Sequence, residues 1–191
     1  MEREVLLTGI GGQGVQLAAQ VLARAALCEG REVMLLGTYG GTMRGGSTDA
    51  ALVIGDAPIL SPPIVSRAWS LVAMHSRFFA PLRRKLRPGA VVVRNASLFE
   101  EPLDPACRVF DVEATERASE LGSPVAGAMV LIGAFARITG IVGLEALRSA
   151  MRDCVPSYRR QHVEMNERAL DAGFASAPAG AAPAWHIEEA A

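Results

Sequence analysis

The residues best suited to chemistry in this sequence stand near its start, where glycines separate two apolar segments. Residues 5–20 read VLLTGIGGQGVQLAAQ, which predicts a strand, a glycine turn and a helix. Glycine has no Cβ, so an outside group can approach the backbone, and the first N–H groups of the helix favour a phosphate or carboxylate. Gln13 would either donate to the same ligand or cap its helix. The candidate binding residues of this turn are Gly9, Gly11, Gly12, Gln13 and Gly14.

The spacing of Gly9, Gly11 and Gly14 also satisfies the G-x-G-x-x-G pattern of dinucleotide-binding folds. A nicotinamide site needs an Asp or Glu at the end of the second strand, where it holds the ribose hydroxyls. The second predicted strand, residues 31–36, carries its only acid, Glu32, at its start. The sequence therefore disfavours NAD, and a tight turn without a ligand remains the structural alternative.

A second glycine-rich segment, residues 37–48, reads GTYGGTMRGGST. Such glycine density costs backbone entropy unless another group must approach the chain. We expect this loop and the glycine turn to meet at the carboxyl ends of the first two strands, the edge at which open parallel sheets bind ligands. Its arginine would offer a planar fork to a phosphate or carboxylate, or form a salt bridge to another subunit. The candidate residues of this loop are Thr38, Tyr39, Gly40, Met43, Arg44, Gly45 and Gly46.

The remaining sequence supplies the elements that position these loops. Further runs of strand length occur at residues 50–54, 69–74, 90–93 and 108–112. Helical patterns cover residues 77–86, 114–121, 125–139, 144–151 and 156–172. Small residues in one of these helices, Gly127, Gly133 and Ala134, are expected to permit close packing. The pattern predicts an α/β protein with a Rossmann-like parallel sheet, helices on both faces and a helical C-terminal part.

We predict a single α/β domain over residues 1–174, followed by an Ala- and Pro-rich C-terminal tail over residues 175–191. The tail is expected to lack structure in isolation, and Trp185 and Ile187 offer a docking hook.

The basic group Arg83-Arg84-Lys85 lies near the end of a predicted helix, where cations complement the helix dipole. His75 follows a strand and is expected to be structural, and His162 is expected at the surface.

Composition disfavours several classes of protein. The net charge of −1 gives no field for nucleic acid, and the longest apolar run, residues 125–136, is too short to span a membrane. Cys28, Cys107 and Cys154 are far apart, which predicts neither disulfides nor a metal cluster and points to the reducing cytoplasm. The mean hydropathy of +0.24 indicates surface that another subunit covers.

The two glycine segments, taken with the helix sequence MVLIGA at residues 129–134, fall in the order seen in one family. Over residues 3–173 the chain resembles the gamma subunit, or gamma domain, of the 2-oxoacid:ferredoxin (acceptor) oxidoreductases. That family includes enzymes for pyruvate, 2-oxoglutarate, ketoisovalerate and other branched-chain 2-oxoacids, indolepyruvate and phenylglyoxylate. The pair GxGGQG and YGxxMRGG is more specific than either half. The chain departs from many relatives at Gly41-Thr42, where they have Pro-Glu, and at Ala128, where they have Asn.

The resemblance implies the oxidative decarboxylation of a 2-oxoacid, usually to acyl-CoA and CO2, with electrons passing to ferredoxin or to an NAD-linked subunit. It implies thiamine diphosphate with Mg2+, 4Fe–4S clusters and coenzyme A as cofactors of the complex. It also implies alpha, beta and ferredoxin-like delta subunits as partners, with no nucleic acid and no membrane.

This chain lacks the parts of that machinery that its relatives place on other subunits. It has no grouped cysteines for a cluster, and Gly55-Asp56 is followed by Ala57 rather than by the glycine of a thiamine motif. We therefore expect it to help complete the active site without supplying a catalytic residue. The alternatives are a stand-alone nucleotide- or CoA-binding protein and a purely structural subunit. The only lysine, Lys85, is not in a phosphate loop, which disfavours the stand-alone nucleotide enzyme.

Overall fold

The computed structural model describes residues 1–40, 45–60, 64–99 and 105–185. The strands found there are β1 (Glu2–Ile10), β2 (Glu32–Tyr39), β3 (Ser47–Gly55), β4 (Ala68–Ala73), β5 (Leu86–Asn95) and β6 (Arg108–Val112). The α-helices are α1 (Val15–Cys28), α2 (Phe79–Arg83), α3 (Ala114–Glu120), α4 (Gly127–Thr139), α5 (Leu144–Cys154) and α6 (Val163–Ser176). Short 3-10 turns cover Ser76–Phe78, Ala96–Leu98, Pro124–Ala126 and Ser157–His162. None of the described helices has the length and apolarity needed to cross a membrane.

The six strands form one sheet in the order β2-β3-β1-β4-β5-β6. Strands β1, β4, β5 and β6 pair in parallel, whereas β3 runs antiparallel between β1 and β2. The predicted α/β class is confirmed, but the sheet is mixed and β1 and β2 are not neighbours. The short connection between β2 and β3 explains the antiparallel pairing of these two strands, because residues 40–46 can close a hairpin but cannot make the crossover that parallel pairing requires.

Apolar side chains cover both faces of the central strands. Val5 and Leu7 of β1 belong to a core beneath α1 and α4, while Leu6 belongs to a second core with Phe79 and Leu82 around α2. Because successive side chains of a strand point to opposite faces, the consecutive apolar residues Val5, Leu6 and Leu7 supply both cores. Helices therefore lie on both faces, as the sequence predicts.

Several element boundaries differ from the sequence prediction. Strand β2 extends to Tyr39, because its pairing with β3 continues through Tyr39 opposite Thr48. The predicted helix over residues 77–86 is reduced to α2, since Leu86 already pairs with Ala68 across a bulge at the start of β5. The last predicted helix begins as a 3-10 turn and becomes α-helical only at Val163.

Helices α4 and α6 pack with their backbones in contact. A Cβ on Gly133 would lie 2.2 Å from the Leu170 carbonyl oxygen, and a Cβ on Gly173 would lie 1.9 Å from the Val130 carbonyl oxygen. The expected role of Gly133 in close packing is confirmed. The prediction that a helix stops at Gly173 is wrong, because this glycine lies inside α6 and accommodates α4.

The C-terminal strap, residues 177–185, follows α6 and crosses the end of α4. Its backbone N–H groups at Gly180, Ala182 and Ala184 donate to the carbonyl oxygens of Arg137, Ile138 and Thr139. Ala182 and Ala184 are fully buried. Packing against α4 thus supplies the hydrogen-bond partners that this segment would lack in isolation.

Trp185 ends the strap and docks it to the body of the protein. Its indole Nε1 donates to the Ile141 carbonyl oxygen at 3.2 Å, and the Arg31 guanidinium lies 4.0 Å from the centre of its ring. The docking expected of Trp185 is observed, and Ile187 lies outside the described residues. Arg3, near the start of β1, and Arg108, at the start of β6, also donate hydrogen bonds to carbonyl oxygens of the strap. Together with Arg31, which precedes β2, arginines near the starts of three strands contact this segment.

Candidate functional site

The glycine turn joins β1 to α1 through two left-handed residues. Gly12 has φ 105° and Gly14, the N-cap of α1, has φ 79°, which are conformations that only glycine adopts without strain. The Gln13 side-chain Oε1 accepts a hydrogen bond from the Ile10 N–H at 2.8 Å. Gln13 therefore closes its own turn, and it does not cap α1, whose N-terminus has no side-chain cap hydrogen bond.

The turn and the glycine-rich loop meet through their backbones. The Gly11 N–H donates to the Gly46 carbonyl oxygen at 2.9 Å, and the Gly45 N–H donates to the Gly11 carbonyl oxygen at 3.3 Å. The Gly40 N–H donates to the Ser47 carbonyl oxygen at 2.8 Å and closes the β2–β3 hairpin. The two segments thus come together at the carboxyl end of β1, as expected. Two candidates of this loop, Met43 and Arg44, lie outside the described residues.

A polar cluster below the loop holds this junction. The Asp49 carboxylate accepts from the Thr8 hydroxyl at 2.6 Å and from the Ser47 hydroxyl at 2.9 Å. The Gln16 amide donates to the Asp49 carbonyl oxygen at 2.8 Å. Because Thr8 is fully buried, these bonds fix the start of β3 against β1. Sequence reasoning missed Asp49, although an acid near the start of an otherwise apolar strand is an available signal.

The other candidate residues have different surroundings. A Cβ on Gly9 would lie 2.7 Å from Val15 Cγ2, so Gly9 permits the turn to pack on α1 rather than a ligand to approach. Thr38 and Tyr39 belong to β2, and Tyr39 is 64% exposed at the edge of the sheet. A Cβ on Gly12 or Gly45, in contrast, would meet no atom within 4 Å. These two glycines present open backbone.

A cavity of about 450 Å³ opens beside the glycine turn. Gly12 and Gly14 are the described candidates that line it, together with Gln16 and Gln20 of α1. The opposite wall is formed by residues near the end of α5 and the start of α6, and sequence reasoning did not connect them to the turn: Cys154, Val155, Pro156, Arg159, His162, Met165 and Asn166. The cavity thus combines open backbone, amides, a guanidinium and apolar side chains.

The cysteine in this wall is not activated. Burial raises the pKa of the Cys154 thiol, which favours the protonated form over the nucleophilic thiolate. In the described residues no three His, Cys, Asp or Glu side chains stand together as metal ligands. The arrangement is suited to binding and offers neither an activated thiol nor a metal site.

Two polar residues at the same edge of the sheet have structural roles. Asn95, fully buried at the end of β5, donates to the Met74 carbonyl oxygen and to Thr115 Oγ1, and accepts from the Ala114 N–H. It therefore ties the end of β4 to the start of α3. His75 Nδ1 accepts from the Arg77 N–H at 3.1 Å, which agrees with the structural role expected of His75.

The fold and the joined glycine segments can be compared with known proteins. Residues 4–176 match the family model described as pyruvate ferredoxin/flavodoxin oxidoreductase. The chain belongs to this family. The 2-oxoglutarate synthase subunit KorC of Methanocaldococcus jannaschii is 32% identical over 160 residues, which cover 82% of this chain and 85% of KorC. The pyruvate synthase subunit PorC of the same organism is 27% identical over 175 residues, which cover 90% and 94% of the two chains.

Solved structures give the same result at the level of the fold. The gamma subunit of the keto/oxoacid ferredoxin oxidoreductase from Geobacter sulfurreducens has a TM-score of 0.76 and 26% identity, covering 91% of this chain and 96% of its own. The 2-oxoglutarate:ferredoxin oxidoreductase from Magnetococcus marinus, solved with 2-oxoglutarate, coenzyme A and succinyl-CoA bound, has a TM-score of 0.81 and 19% identity. The match covers 91% of this chain but 30% of that one, so it shows a shared fold within a longer polypeptide.

The family assignment confirms the resemblance read from the sequence. Further relatives are the ketoisovalerate oxidoreductase subunit VorA of Methanothermobacter marburgensis and the indolepyruvate oxidoreductase subunit IorB of Archaeoglobus fulgidus, so the relatives share a role as subunits of 2-oxoacid oxidoreductases. The chain is therefore a gamma-type subunit of an oxidoreductase of this class.

Proposed function

We propose that this chain assembles with alpha, beta and delta subunits in the cytoplasm and helps to complete their site for oxidative decarboxylation of a 2-oxoacid. The observation that carries the proposal is the backbone junction between Gly11 and the Gly45–Gly46 segment. This junction fixes two glycine-rich segments at the sheet edge where α/β proteins bind ligands. Ferredoxin or an NAD-linked subunit would receive the electrons.

The cofactors of such a complex divide between the chains according to the residues that can hold them. We assign the 4Fe–4S clusters to companion subunits because this chain has no grouped cysteines. We assign thiamine diphosphate and Mg2+ to them because Gly55-Asp56 is not followed by the glycine of a thiamine motif. The residues of this chain are better suited to coenzyme A than to those cofactors. The open backbone at Gly12 and the first N–H groups of α1 would hold a phosphate, and Arg159 adds a cation to the cavity wall. The thiol of bound coenzyme A would accept the acyl group.

The proposal is tested by alanine at Gly12, with Gly30 as the matched control. Both glycines have positive φ, 105° and 74°, and at both a Cβ would meet no atom within 4 Å. Alanine at either position is expected to lower stability by about 1–2 kcal/mol through backbone strain. In the assembled complex Gly12→Ala is expected to raise the KM for coenzyme A about tenfold, because its Cβ enters the proposed phosphate path, whereas Gly30→Ala leaves this KM unchanged.

Steady-state kinetics of the complex and its native mass are measured for both variants. If Gly12→Ala and Gly30→Ala had the same KM for coenzyme A, the assignment of coenzyme A to the glycine turn would be contradicted. Loss of assembly with Gly12→Ala but not with Gly30→Ala would instead show that the turn is a subunit interface.

A further inference from the structure

A cluster of exposed cations lies at the amino edge of the sheet, opposite the candidate site. We call it the basic patch: Arg67, Arg83, Arg84 and Lys85. The Ala68 N–H donates to the Lys85 carbonyl oxygen at 2.7 Å, which brings the start of β4, and with it Arg67, beside the start of β5. Helix α2 has five residues, too few for its dipole to account for four cations.

Among the described residues, no acid pairs with a cation of the basic patch. Glu4 lies 3.7 Å from Arg87, and Asp56 pairs with the N-terminal amino group. Glu2, at the start of β1, makes no ion pair with a patch cation in the described part of the chain. In the described part of the chain, the four cations of the basic patch therefore have no ion-pair partner.

Two large apolar side chains are exposed beside these cations. Leu60 is 92% exposed and Ile64 is 76% exposed. Ile59, the chain neighbour of Leu60, lies beside Gly55 at the end of β3, which pairs with the start of β1. Ile64 precedes Arg67 by three residues, so both exposed side chains lie at the amino edge of the sheet. Covering a side chain of this size contributes roughly 1.5–3 kcal/mol, which favours a partner that stays in place.

We propose that the basic patch, with Leu60 and Ile64, docks an acidic, partly apolar face of a companion subunit of the oxidoreductase. This inference rests on the proposed function and names the chemistry of one contact. Nucleic acid fits less well, because four cations are fewer than the roughly 6–10 phosphate contacts of strong binders, and because exposed leucine and isoleucine do not recognise phosphates. A transient electron carrier would not require the two apolar side chains.

The contribution of the basic patch to the proposed contact is tested by reversing its charges in the purified complex. The double variant R84E/K85E is compared with R160E/R168E, which makes the same change in net charge at exposed arginines of the 3-10 turn before α6 and of α6 itself. R84E/K85E is expected to weaken binding of the stoichiometric companion subunit at least tenfold and to flatten the dependence of affinity on NaCl concentration. R160E/R168E is expected to bind within twofold of wild type, and both variants should keep the wild-type circular dichroism spectrum.

The contribution of the two apolar side chains to the proposed contact is tested with the double variant L60S/I64S. It is expected to weaken the same binding about tenfold while leaving the salt dependence unchanged. If R84E/K85E bound the companion subunit with wild-type affinity and salt dependence, the proposal would be overturned. It would also be overturned if R84E/K85E lost binding to RNA or to anionic vesicles but still bound the companion subunit. Recovery of no companion subunit by the wild-type chain would refute the proposed function instead, so the two failures are distinguishable.

Discussion

Replacing Gly173 by alanine is expected to break the packing of α4 on α6 and to cost on the order of 4 kcal/mol or more, a large share of the roughly 5–15 kcal/mol that stabilises a domain. The added Cβ would lie 1.9 Å from the Val130 carbonyl oxygen and 2.7 Å from its carbonyl carbon. These are backbone atoms of a buried helix, so they cannot move aside as the end of a side chain can. Since Gly133 makes the reciprocal contact with Leu170, the helices can separate only by opening the core.

Gly127→Ala is the matched control, because it makes the same change in α4. There the nearest atom to the new Cβ is the terminal methyl of Met74 at 3.2 Å, which can rotate away. Alanine is also the better helix former, so this variant is expected to stay within about 1 kcal/mol of wild type. Chemical denaturation of both variants measures the difference. Wild-type stability of Gly173→Ala would show that the two helices do not approach as closely as described.

Deleting the C-terminal strap by ending the chain at Ser176 is the second large change. It removes the buried Ala182 and Ala184 and the indole that donates to the Ile141 carbonyl oxygen, and it leaves carbonyl oxygens at the end of α4 without their donors. The lost burial and hydrogen bonds together are expected to cost on the order of 3–5 kcal/mol. We expect a lower thermal midpoint by circular dichroism.

Ending the chain after Trp185 instead keeps every described contact of the strap and serves as the control, with an expected midpoint equal to that of the full chain. Trp185→Ala should lie between the two truncations, because it removes the hydrogen bond to Ile141 and the stacking on Arg31 alone. If truncation at Ser176 left the midpoint unchanged, the strap would not contribute to the fold.

The sequence is sufficient to predict the class of the fold and most of the strands, because apolar runs of strand length alternate with helical patterns. The neighbours of β1 were not obtained by that reasoning. A strand–helix–strand pattern suggests adjacent parallel strands, yet the short connection between β2 and β3 already requires a hairpin. Counting the residues between the two strands would have indicated the antiparallel pairing of β3 with β2, but not the position of β3 between β1 and β2.

Contacts between distant segments were beyond sequence reasoning. The sequence predicts a helix stop at Gly173 because glycine commonly follows helix ends, and only the approach of α4 shows that it lies within α6. The cavity wall is a similar case, since Arg159 and His162 lie more than a hundred residues from Gly14. Nothing in their local spacing connects them to the turn. Asp49 is different, because a carboxylate near the start of an apolar strand signals a polar contact by itself.

The most direct test of the account is the native mass and the chain composition of what co-purifies with a tagged copy of this protein from its own cell. We predict a complex in which this chain is present in fixed ratio with chains that carry a thiamine motif and grouped cysteines, and which reduces an electron acceptor when given a 2-oxoacid and coenzyme A. Recovery of this chain alone, as a monomer or homodimer without such companions, would contradict the account.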